Sequence, residues 1–440
     1  TVTGETNYWF RSWSDPTGRG GRRSALYDKD GAEVMTFDGE QSATMQNGLL
    51  VLQESKLVNG KYQDDYDVYG TCQVIDLSTG EALPVPDGAH NCIVCGDRLV
   101  YNCYARPADL AEDAWDDDTS LHSWVVVLTK DGTQVYGADT TTAMSVSYSP
   151  DGLTDWVELD TYHADGEPVD QMLYNPTTGE GLTGFRQVCG NGTASFATDD
   201  GTYELRDLTV EDRGVIGTFP DQPSSYFPGY VVTWRTDGNY GYDLHDLETG
   251  EITPLYASSV ANNTIALYAE NGSLKVYNTD TGKLITNTTV EPVKGLQSIT
   301  MNNEDDGYVW LEVLNDSYET LSTRVYGPEG LVSDLTHLQD KYSTLNYLTT
   351  TPEGRPLYYG VSDKFSNTTS LCDVLDETGN ILLYGLGSCY SYYDNSLNAL
   401  PDHVFVARRG FHYGWMDTDG NWLYCRSIFS TINADDESGY

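Results

Sequence analysis

Four cysteines in the first quarter of the chain form the densest group of side chains that could do chemistry. Cys72, Cys92, Cys95 and Cys103 fall within 32 residues, and Cys92-Ile-Val-Cys95 has the spacing of a metal-binding knuckle. Zinc ribbons usually pair two such knuckles, whereas the spacing on either side of this one is irregular. A four-thiolate metal site is therefore one alternative for these residues, and not the favoured one.

The same segment also fits a β-hairpin. Residues 92–103 would turn at Gly96-Asp97, and a turn centred on Asp97-Arg98 would place Cys92 opposite Cys103, where a cross-strand disulfide could form. Free cysteine is among the side chains most often buried in protein cores. We therefore favour buried free thiols for the eight cysteines, with one or more disulfides as the second alternative.

Carboxylates are the most abundant charged groups, and two short patterns suggest calcium. Residues 28–31 and 417–420 (both Asp-x-Asp-Gly) begin like a calcium-binding loop but lack its later ligands. Capping of tight turns is the expected role of these aspartates. The acidic runs 112–118 and 302–307 are expected to be solvated loops, with weak Ca²⁺ binding as the alternative. We predict no other metal and no cofactor.

Catalytic signatures are missing from the sequence. The seven histidines show no His-x-His or His-Glu-x-x-His spacing, and no Gly-x-Ser-x-Gly elbow, P-loop or dinucleotide fingerprint occurs in a strand–helix setting. Glycoside hydrolysis needs two carboxylates about 5 to 10 Å apart. Sequence alone cannot select such a pair among 67 acidic residues. We therefore predict no catalytic residue and favour a protein that is not an enzyme.

Aromatic side chains give the best indication of binding. The segment 389–394 (Cys-Tyr-Ser-Tyr-Tyr-Asp) follows a predicted strand, and exposed Tyr or Trp rings suit sugar stacking and protein interfaces. The candidate binding residues are Tyr390, Tyr392, Tyr393 and Trp415. Packing between neighbouring sheets is the alternative role for these rings.

The charge of the chain excludes several classes of partner. Its 440 residues carry 24 basic and 67 acidic side chains, a formal net charge of −43. Phosphate binding depends on Lys and Arg, so a nucleic acid or an anionic membrane surface is a poor partner. No stretch approaches the roughly 18 apolar residues of a membrane-spanning helix. Residues 1–7 are expected to be a linker left after removal of a leader or lipoprotein anchor, and residues 434–440 a flexible tail.

Strands must position these residues, because helical periodicity is almost absent. Short β-branched or alternating runs such as Trp124–Thr129 and Tyr230–Trp234 recur, each bounded by Gly, Asn, Asp or Pro. A strand that ends in an Asp- or Asn-rich turn with Gly, followed by a second strand, appears nine times. The turn glycines are at positions 31, 80, 132, 179, 250, 282, 330, 379 and 420.

Most of these glycines are spaced by about 50 residues, which is the length of a four-stranded propeller blade. The gap between Gly179 and Gly250 is longer, so we expect a degenerate copy near residues 199–203 or 213–214. We predict an all-β fold with a single β-propeller over residues 1–440, with eight blades and a range of seven to ten. Two packed smaller propellers are the alternative. Residues 8–10 are expected to close the ring against the C-terminal repeat near Leu423.

Several copies resemble known propeller repeats. Residues 409–422 resemble WG-type repeats, although the order here is Tyr-Gly-Trp, and residues 75–83 and 277–284 resemble YncE-like hairpins. Residues 149–152 (Ser-Pro-Asp-Gly) are similar to the TolB-type motif. The resemblance covers the hairpins only, and none of its motifs carries a catalytic residue. It implies a bacterial β-propeller repeat protein, of the kind found as surface proteins or lipoproteins of Gram-positive gut bacteria.

These observations lead to one favoured function and two alternatives. The favoured function is a non-enzymatic, extracellular, cell-surface-attached binding module, monomeric, whose partner is a protein or a glycan. The first alternative is a polysaccharide-active enzyme, a glycoside hydrolase or lyase, with acidic residues in the central funnel of the propeller. The second is an envelope-assembly scaffold. Fold alone does not decide between the three.

Overall fold

The computed structural model describes most of the chain. The described residues are 2–5, 7–14, 22–38, 41–55, 57–58, 61–62, 69–110, 119–137, 143–146, 152–162, 168–235, 241–261, 263–304, 307–362, 371–390 and 402–427. Contacts divide the chain into two compact units. The first contains residues up to Val188 and Ala194–Ile216, and the second contains Cys189–Thr193 and the described part of residues 217–433.

Antiparallel strands build the chain from its start to Phe219. The first sheet contains β1 (Val2–Glu5), β2 (Tyr8–Ser14), β3 (Arg22–Asp28) and β4 (Glu33–Asp38). The second contains β5 (Gln41–Gln46), β6 (Leu49–Ser55) and β9 (Tyr69–Asp76), with a separate pair, β7 (Leu57–Val58) and β8 (Lys61–Tyr62). The third contains β10 (Ala89–Cys95), β11 (Arg98–Tyr104), β12 (Ser123–Thr129) and β13 (Gln134–Gly137). Next come β14 (Met144–Val146), β15 (Val157–Tyr162), β16 (Pro168–Tyr174) and β17 (Gly181–Thr183). They are followed by β18 (Phe185–Gly190), β19 (Thr193–Ala197), β20 (Tyr203–Asp207) and β21 (Val215–Phe219).

The same pattern continues to the last described residues. One seven-stranded sheet contains β22 (Gln222–Phe227), β23 (Tyr230–Trp234), β24 (Tyr242–Asp246), β25 (Ile252–Ala261), β26 (Thr264–Ala269), β27 (Ser273–Asn278) and β28 (Leu284–Thr289). Four-stranded sheets follow, the first with β29 (Ser298–Asn303), β30 (Val309–Leu314), β31 (Thr320–Gly327) and β32 (Gly330–Asp334). The next contains β33 (Thr344–Thr350), β34 (Pro356–Ser362), β35 (Leu371–Leu375) and β36 (Ile381–Leu386). The last contains β37 (Ser388–Tyr390), β38 (Val404–Arg409), β39 (His412–Asp417) and β40 (Trp422–Ser427). Short 3-10 turns lie at Thr119–His122 and Thr336–Leu338.

The predicted hairpin turns are confirmed. All nine turn glycines have a positive φ, between 68° and 109°, a conformation that a Cβ would resist. The expected degenerate copy is also present, because β19 and β20 are joined by a turn in which Gly201 has φ +83° and its N–H donates to the Thr198 carbonyl at 3.1 Å. The Asp200 carboxylate caps this turn by accepting the Thr202 N–H at 3.2 Å.

Each sheet packs one face on the next sheet along the chain within its unit. In the first unit, for example, Leu49 and Val74 of the second sheet share a core with Leu99 and Tyr101 of the third. In the second unit, Leu348 and Val374 share a core with Phe405 and Met416 in the same way. Strand alternation produces this arrangement, because inner strands bury residues on both faces, as Leu99 and Val100 of β11 do, whereas outer strands such as β13 and the turns lie at the surface. The turns are therefore available to form sites.

The strand β25 joins two repeats without a break. Its first residues, Ile252–Leu255, pair with β24, and the stretch from Leu255 to Ala261 pairs with β26. A bulge between Leu255 and Ala257 changes its register at the crossover. Two repeats consequently share a single seven-stranded ladder.

The strands at the two ends of the chain pair within their own sheets. The strand β2, which contains Tyr8–Phe10, pairs with β1 and β3, and β40, which contains Leu423, pairs with β39. Among the described residues we find no helix with the length and apolar character that a membrane crossing requires.

Candidate functional site

A pocket of about 440 Å³ opens at the turns of three consecutive sheets in the first unit. Four turns contribute: the one before β2, the β5–β6 turn, the turn after β9 and the β12–β13 turn. The pocket is lined by Asn7, Tyr8, Asn47, Gly48, Asp76, Leu77, Ser78 and Lys130. Two of the repeat hairpins therefore line it, those with Gly80 and Gly132.

Asp76 is the carboxylate of this pocket, and its own turn holds it in place. Its Oδ1 accepts the Ser78 hydroxyl at 2.5 Å and the Ser78 N–H at 2.8 Å, while its carbonyl accepts the Gly80 N–H at 2.7 Å. The two Ser78 bonds, together with attraction from Lys130, hold the pKa of Asp76 below its ordinary value of 3.8. Asp76 is therefore an anion at neutral pH and can only accept hydrogen bonds.

The Asn47-Gly48 turn forms a second wall. Both residues have positive φ, 52° and 73°, as a two-residue hairpin turn of type I′ requires. The Asn47 amide donates to the Gly96 carbonyl at 3.3 Å, and the Leu77 N–H donates to the Gly48 carbonyl at 3.0 Å. The first bond ties this turn to the β10–β11 turn of the third sheet, and the second ties it to the segment that follows Asp76.

Tyr8 and Lys130 complete the lining. The Tyr8 hydroxyl donates to the Leu77 carbonyl at 3.1 Å, which fixes the ring at the pocket. Lys130 is exposed and belongs to the β12–β13 turn. The described lining thus offers one carboxylate, one ammonium, two side-chain amides, a serine hydroxyl and a tyrosine ring with its own hydroxyl. Such a mixture suits an uncharged ligand with many hydroxyl groups, which needs both donors and acceptors.

Trp415 is the one residue of the four chosen from the sequence whose side chain the structure describes, and it is not part of the described lining of this pocket. Trp415 is half-buried on β39 and lies opposite Tyr424 of β40, with ring centroids 6.1 Å apart and ring planes at 63°. The backbone of Tyr390 ends β37 and pairs with Val406. Tyr392 and Tyr393 lie outside the described residues. Their role in binding stays a prediction.

The structure corrects the expected register of the cysteine hairpin. The hairpin exists, but its two-residue turn at Gly96-Asp97 pairs Cys95 with Arg98, so Cys92 lies opposite Tyr101 and not opposite Cys103. A bulge between Ala89 and Asn91 then sets Cys103 opposite Ala89. The predicted turn centre was displaced because Gly96, with φ +59°, takes the first turn position.

Alternation along β10 also separates the knuckle cysteines. Cys92 shares one core with Cys72 and Cys103, whereas Cys95 belongs to the core on the other face and its thiol donates to the Thr154 carbonyl at 3.2 Å. Burial raises the pKa of Cys72, Cys95 and Cys103 to about 12, so these sulfurs are neutral thiols. All eight cysteines are free in the structure, and all but Cys425 are buried. Within the described part of the chain no group of three or more His, Cys, Asp or Glu is placed to hold a metal ion.

The calcium-like patterns are turn caps. Asp28 Oδ1 accepts the N–H groups of Asp30 and Ala32, both at 2.9 Å. Asp417 Oδ1 accepts those of Asp419 and Asn421 at 3.0 and 2.8 Å. These carboxylates are occupied by their own backbone, as expected. The acidic run 112–118 and residues 305–306 lie outside the described residues.

Comparisons with solved structures give remote likenesses. A computationally designed protein, Ika8, is 13% identical with a TM-score of 0.30, and the match covers 74% of this chain and 95% of that one. BamB from Moraxella catarrhalis is 14% identical with a TM-score of 0.31, covering 71% of this chain and 90% of that one. Likenesses this distant carry no argument about function.

Sequence comparison identifies a family. No curated protein sequence matches the chain. A family profile with the description "domain of unknown function (DUF5046)" matches residues 173–436, which is more than half of the chain. The chain therefore belongs to the family of the domain of unknown function DUF5046.

Proposed function

We propose that this protein is a non-enzymatic binding module and that the pocket around Asp76 holds a neutral oligosaccharide. The observation that carries the proposal is the lining itself, in which a tyrosine ring stands with two amides and with a hydroxyl and a carboxylate that are held by their own turn. Sugars are bound by such sets, because each hydroxyl both donates and accepts a hydrogen bond. The pocket lies within the size range of small-ligand sites.

We further propose that the scaffold is a single β-propeller, for which the sequence favours eight blades in a range of seven to ten. The described sheets form ten repeats when the seven-stranded sheet is counted as two, which favours the upper end of that range. The regular succession of antiparallel sheets, each packed on the next within its unit, supports this proposal. The proposed protein is extracellular, attached to the cell surface and monomeric, and it uses no cofactor beyond weak Ca²⁺ binding in acidic loops. Its net charge of −43 supports a preference for neutral over acidic glycans, because like charges repel.

The test compares two variants that keep the same turn stereochemistry. Asn47→Gly removes one of the two amides of the pocket, and glycine adopts the φ of 52° at that position without strain. Asn191→Gly is the matched control, because Asn191 has φ 50° in the β18–β19 turn and lies outside the pocket lining. The wild type is first screened on an array of neutral and acidic oligosaccharides, and the strongest neutral binder is then titrated calorimetrically.

We expect Asn47→Gly to weaken binding about tenfold, the effect of one lost hydrogen bond of roughly 1.4 kcal/mol, and Asn191→Gly to bind like the wild type. No binder on the array, or equal affinities for the two variants and the wild type, would refute the assignment of the pocket.

A polysaccharide-active enzyme is the second candidate, and one observation favours it. Glu158 and Asp160 lie on β15 and are 6% and 8% exposed. Alternate residues of a strand face the same side about 6 to 7 Å apart at the backbone, which allows their carboxyl groups to reach the separation of roughly 6.5–9.5 Å used by inverting glycoside hydrolases. The Gln171 amide donates to Glu158 Oε1 at 3.2 Å. If the wild type cleaves any glycan of the array and Glu158→Gln does not, this candidate is favoured. If the wild type cleaves none of them, the candidate is excluded for those glycans.

A further inference from the structure

Two cysteines lie together in the core between the last two sheets of the second unit. Cys372 is on β35 and is 5% exposed, and Cys389 is on β37 and is 3% exposed. Both belong to the core that also contains Leu348 and Phe405. Both are free thiols in the structure.

The two thiols are neighbours in this core, where β35 packs against β37. The Cys389 thiol donates a hydrogen bond to the sulfur of Cys372, and this bond lowers the pKa of Cys372 although burial opposes the change. The same bond, together with burial, raises the pKa of Cys389. A hydrogen bond between sulfurs requires them to lie within about 4 Å, so a modest side-chain rotation can close the distance to a covalent bond of about 2 Å.

The other buried thiols are engaged differently. Cys95 donates to the Thr154 carbonyl at 3.2 Å, and Cys189 donates to the Pro223 carbonyl at 3.4 Å. Cys92 hydrogen-bonds with Tyr101. Cys372 and Cys389 are instead engaged with one another.

We propose that Cys372 and Cys389 are a disulfide-forming pair that covalently joins β35 to β37, and hence one sheet to the next. The oxidant is a small disulfide, R–S–S–R. The Cys372 thiolate attacks one of its sulfurs, which forms a mixed disulfide and releases one R–S⁻. The Cys389 sulfur then attacks the Cys372 sulfur, the protein disulfide forms and the second R–S⁻ leaves. The two protons of the protein thiols end on the two released R–SH molecules, which carry away the two electrons.

Burial determines when this reaction occurs. A small disulfide cannot reach either sulfur while the core is closed, so the bond forms during folding or while the two sheets are locally open. Once closed, the same core protects the bond from reductants. The bond closes a short loop of about 18 residues, so we expect it to lower the unfolding equilibrium constant by roughly two orders of magnitude.

The experiment uses the whole wild-type chain. The protein is reduced, unfolded, and refolded in a buffer containing oxidised and reduced glutathione. It is then unfolded again in the presence of N-ethylmaleimide and digested for peptide mass mapping. We expect a linked peptide pair containing Cys372 and Cys389, with the mass of two hydrogens missing. Cys425, which is exposed, is the internal control and should carry the maleimide.

The proposal also predicts a redox-dependent stability. Urea unfolding of the refolded protein should require more denaturant before than after addition of a strong reductant, and the double variant Cys372→Ala/Cys389→Ala should show no such difference. Alkylation of both cysteines after refolding, or a disulfide from either of them to another cysteine, would overturn the proposal. This result is independent of the glycan experiment, because the thiol pair lies in the second unit and the pocket in the first.

Discussion

The stability of the first unit should depend on the protonation of one buried histidine. His90 lies in the bulge of β10 and is 6% exposed. Burial lowers its pKa from the ordinary value of 6.5 to about 4, because the charged imidazolium would lose its hydration inside the core. The folded protein therefore keeps His90 neutral in a range of pH where the unfolded chain binds a proton.

The sign and size of the effect follow from this difference. Between pH 6.5 and 4 the unfolded state binds more protons at this residue, so the free energy of unfolding falls as the pH falls. The contribution is fully present above pH 6.5 and is lost by about pH 4. The difference between pKa 6.5 and about 4 corresponds to a loss of about 3 kcal/mol, at ~1.4 kcal/mol for each pKa unit.

The assay is urea unfolding followed by far-UV circular dichroism at several pH values from 7 to 4. Wild type is compared with His90→Gln, which cannot titrate, and with His412→Gln, which removes an exposed histidine. At each pH the free energy of unfolding of the variant is subtracted from that of the wild type, which cancels the contribution of the carboxylates that both proteins share. We expect the wild type to lose about 3 kcal/mol more than His90→Gln, and His412→Gln to follow the wild type. Parallel curves for wild type and His90→Gln would refute the reasoning.

Two further pairs of substitutions probe close packing and a buried hydrogen bond. A Cβ at Gly414 would lie 2.1 Å from the Tyr424 carbonyl oxygen, so Gly414→Ala should lower the melting temperature by several degrees, whereas Gly214→Ala, with its nearest neighbour at 3.6 Å, should leave it nearly unchanged. Equal melting temperatures for the two variants would contradict this. The Tyr358 and Ser333 hydroxyls share a buried hydrogen bond of 2.8 Å, so Tyr358→Phe and Ser333→Ala should each cost about 1–2 kcal/mol in urea unfolding. The double variant should cost less than the sum of the two, and strict additivity would show that the bond contributes nothing.

The hairpins could be predicted from the sequence because their determinants are local. At the turn after β9, for example, Asp76 caps the N–H of Ser78 while Gly80 takes φ +73°, and all of these residues lie within five positions. The degenerate copy at Asp200 and Gly201 was predictable for the same reason. Local chemistry of this kind does not depend on the rest of the fold.

The pocket could not be predicted, because its residues come from four distant segments. Tyr8, Asn47, Asp76 and Lys130 become neighbours only when three sheets stack, and each alone looks like an ordinary turn residue. One available signal was the rarity of cations, since Lys130 is one of only 24 basic residues in a chain with 67 acidic ones. The predicted register of the cysteine hairpin was wrong because shifting the turn by one residue changes every cross-strand pair.

The shared strand β25 makes two repeats inseparable. The turn glycines of these two repeats, Gly250 and Gly282, are only 32 residues apart. The spacing is short because β25 serves both as the last strand of one repeat and as the first strand of the next, with no linker between them. Opening either half of the seven-stranded sheet removes a ladder partner from the other half, so both halves should exchange their amide hydrogens as one cooperative unit. An evolutionary duplication or loss of a repeat would have to cut this strand, whereas elsewhere it could occur in a loop. We therefore expect the number of repeats in related chains to vary outside β22–β28 and to stay constant within it.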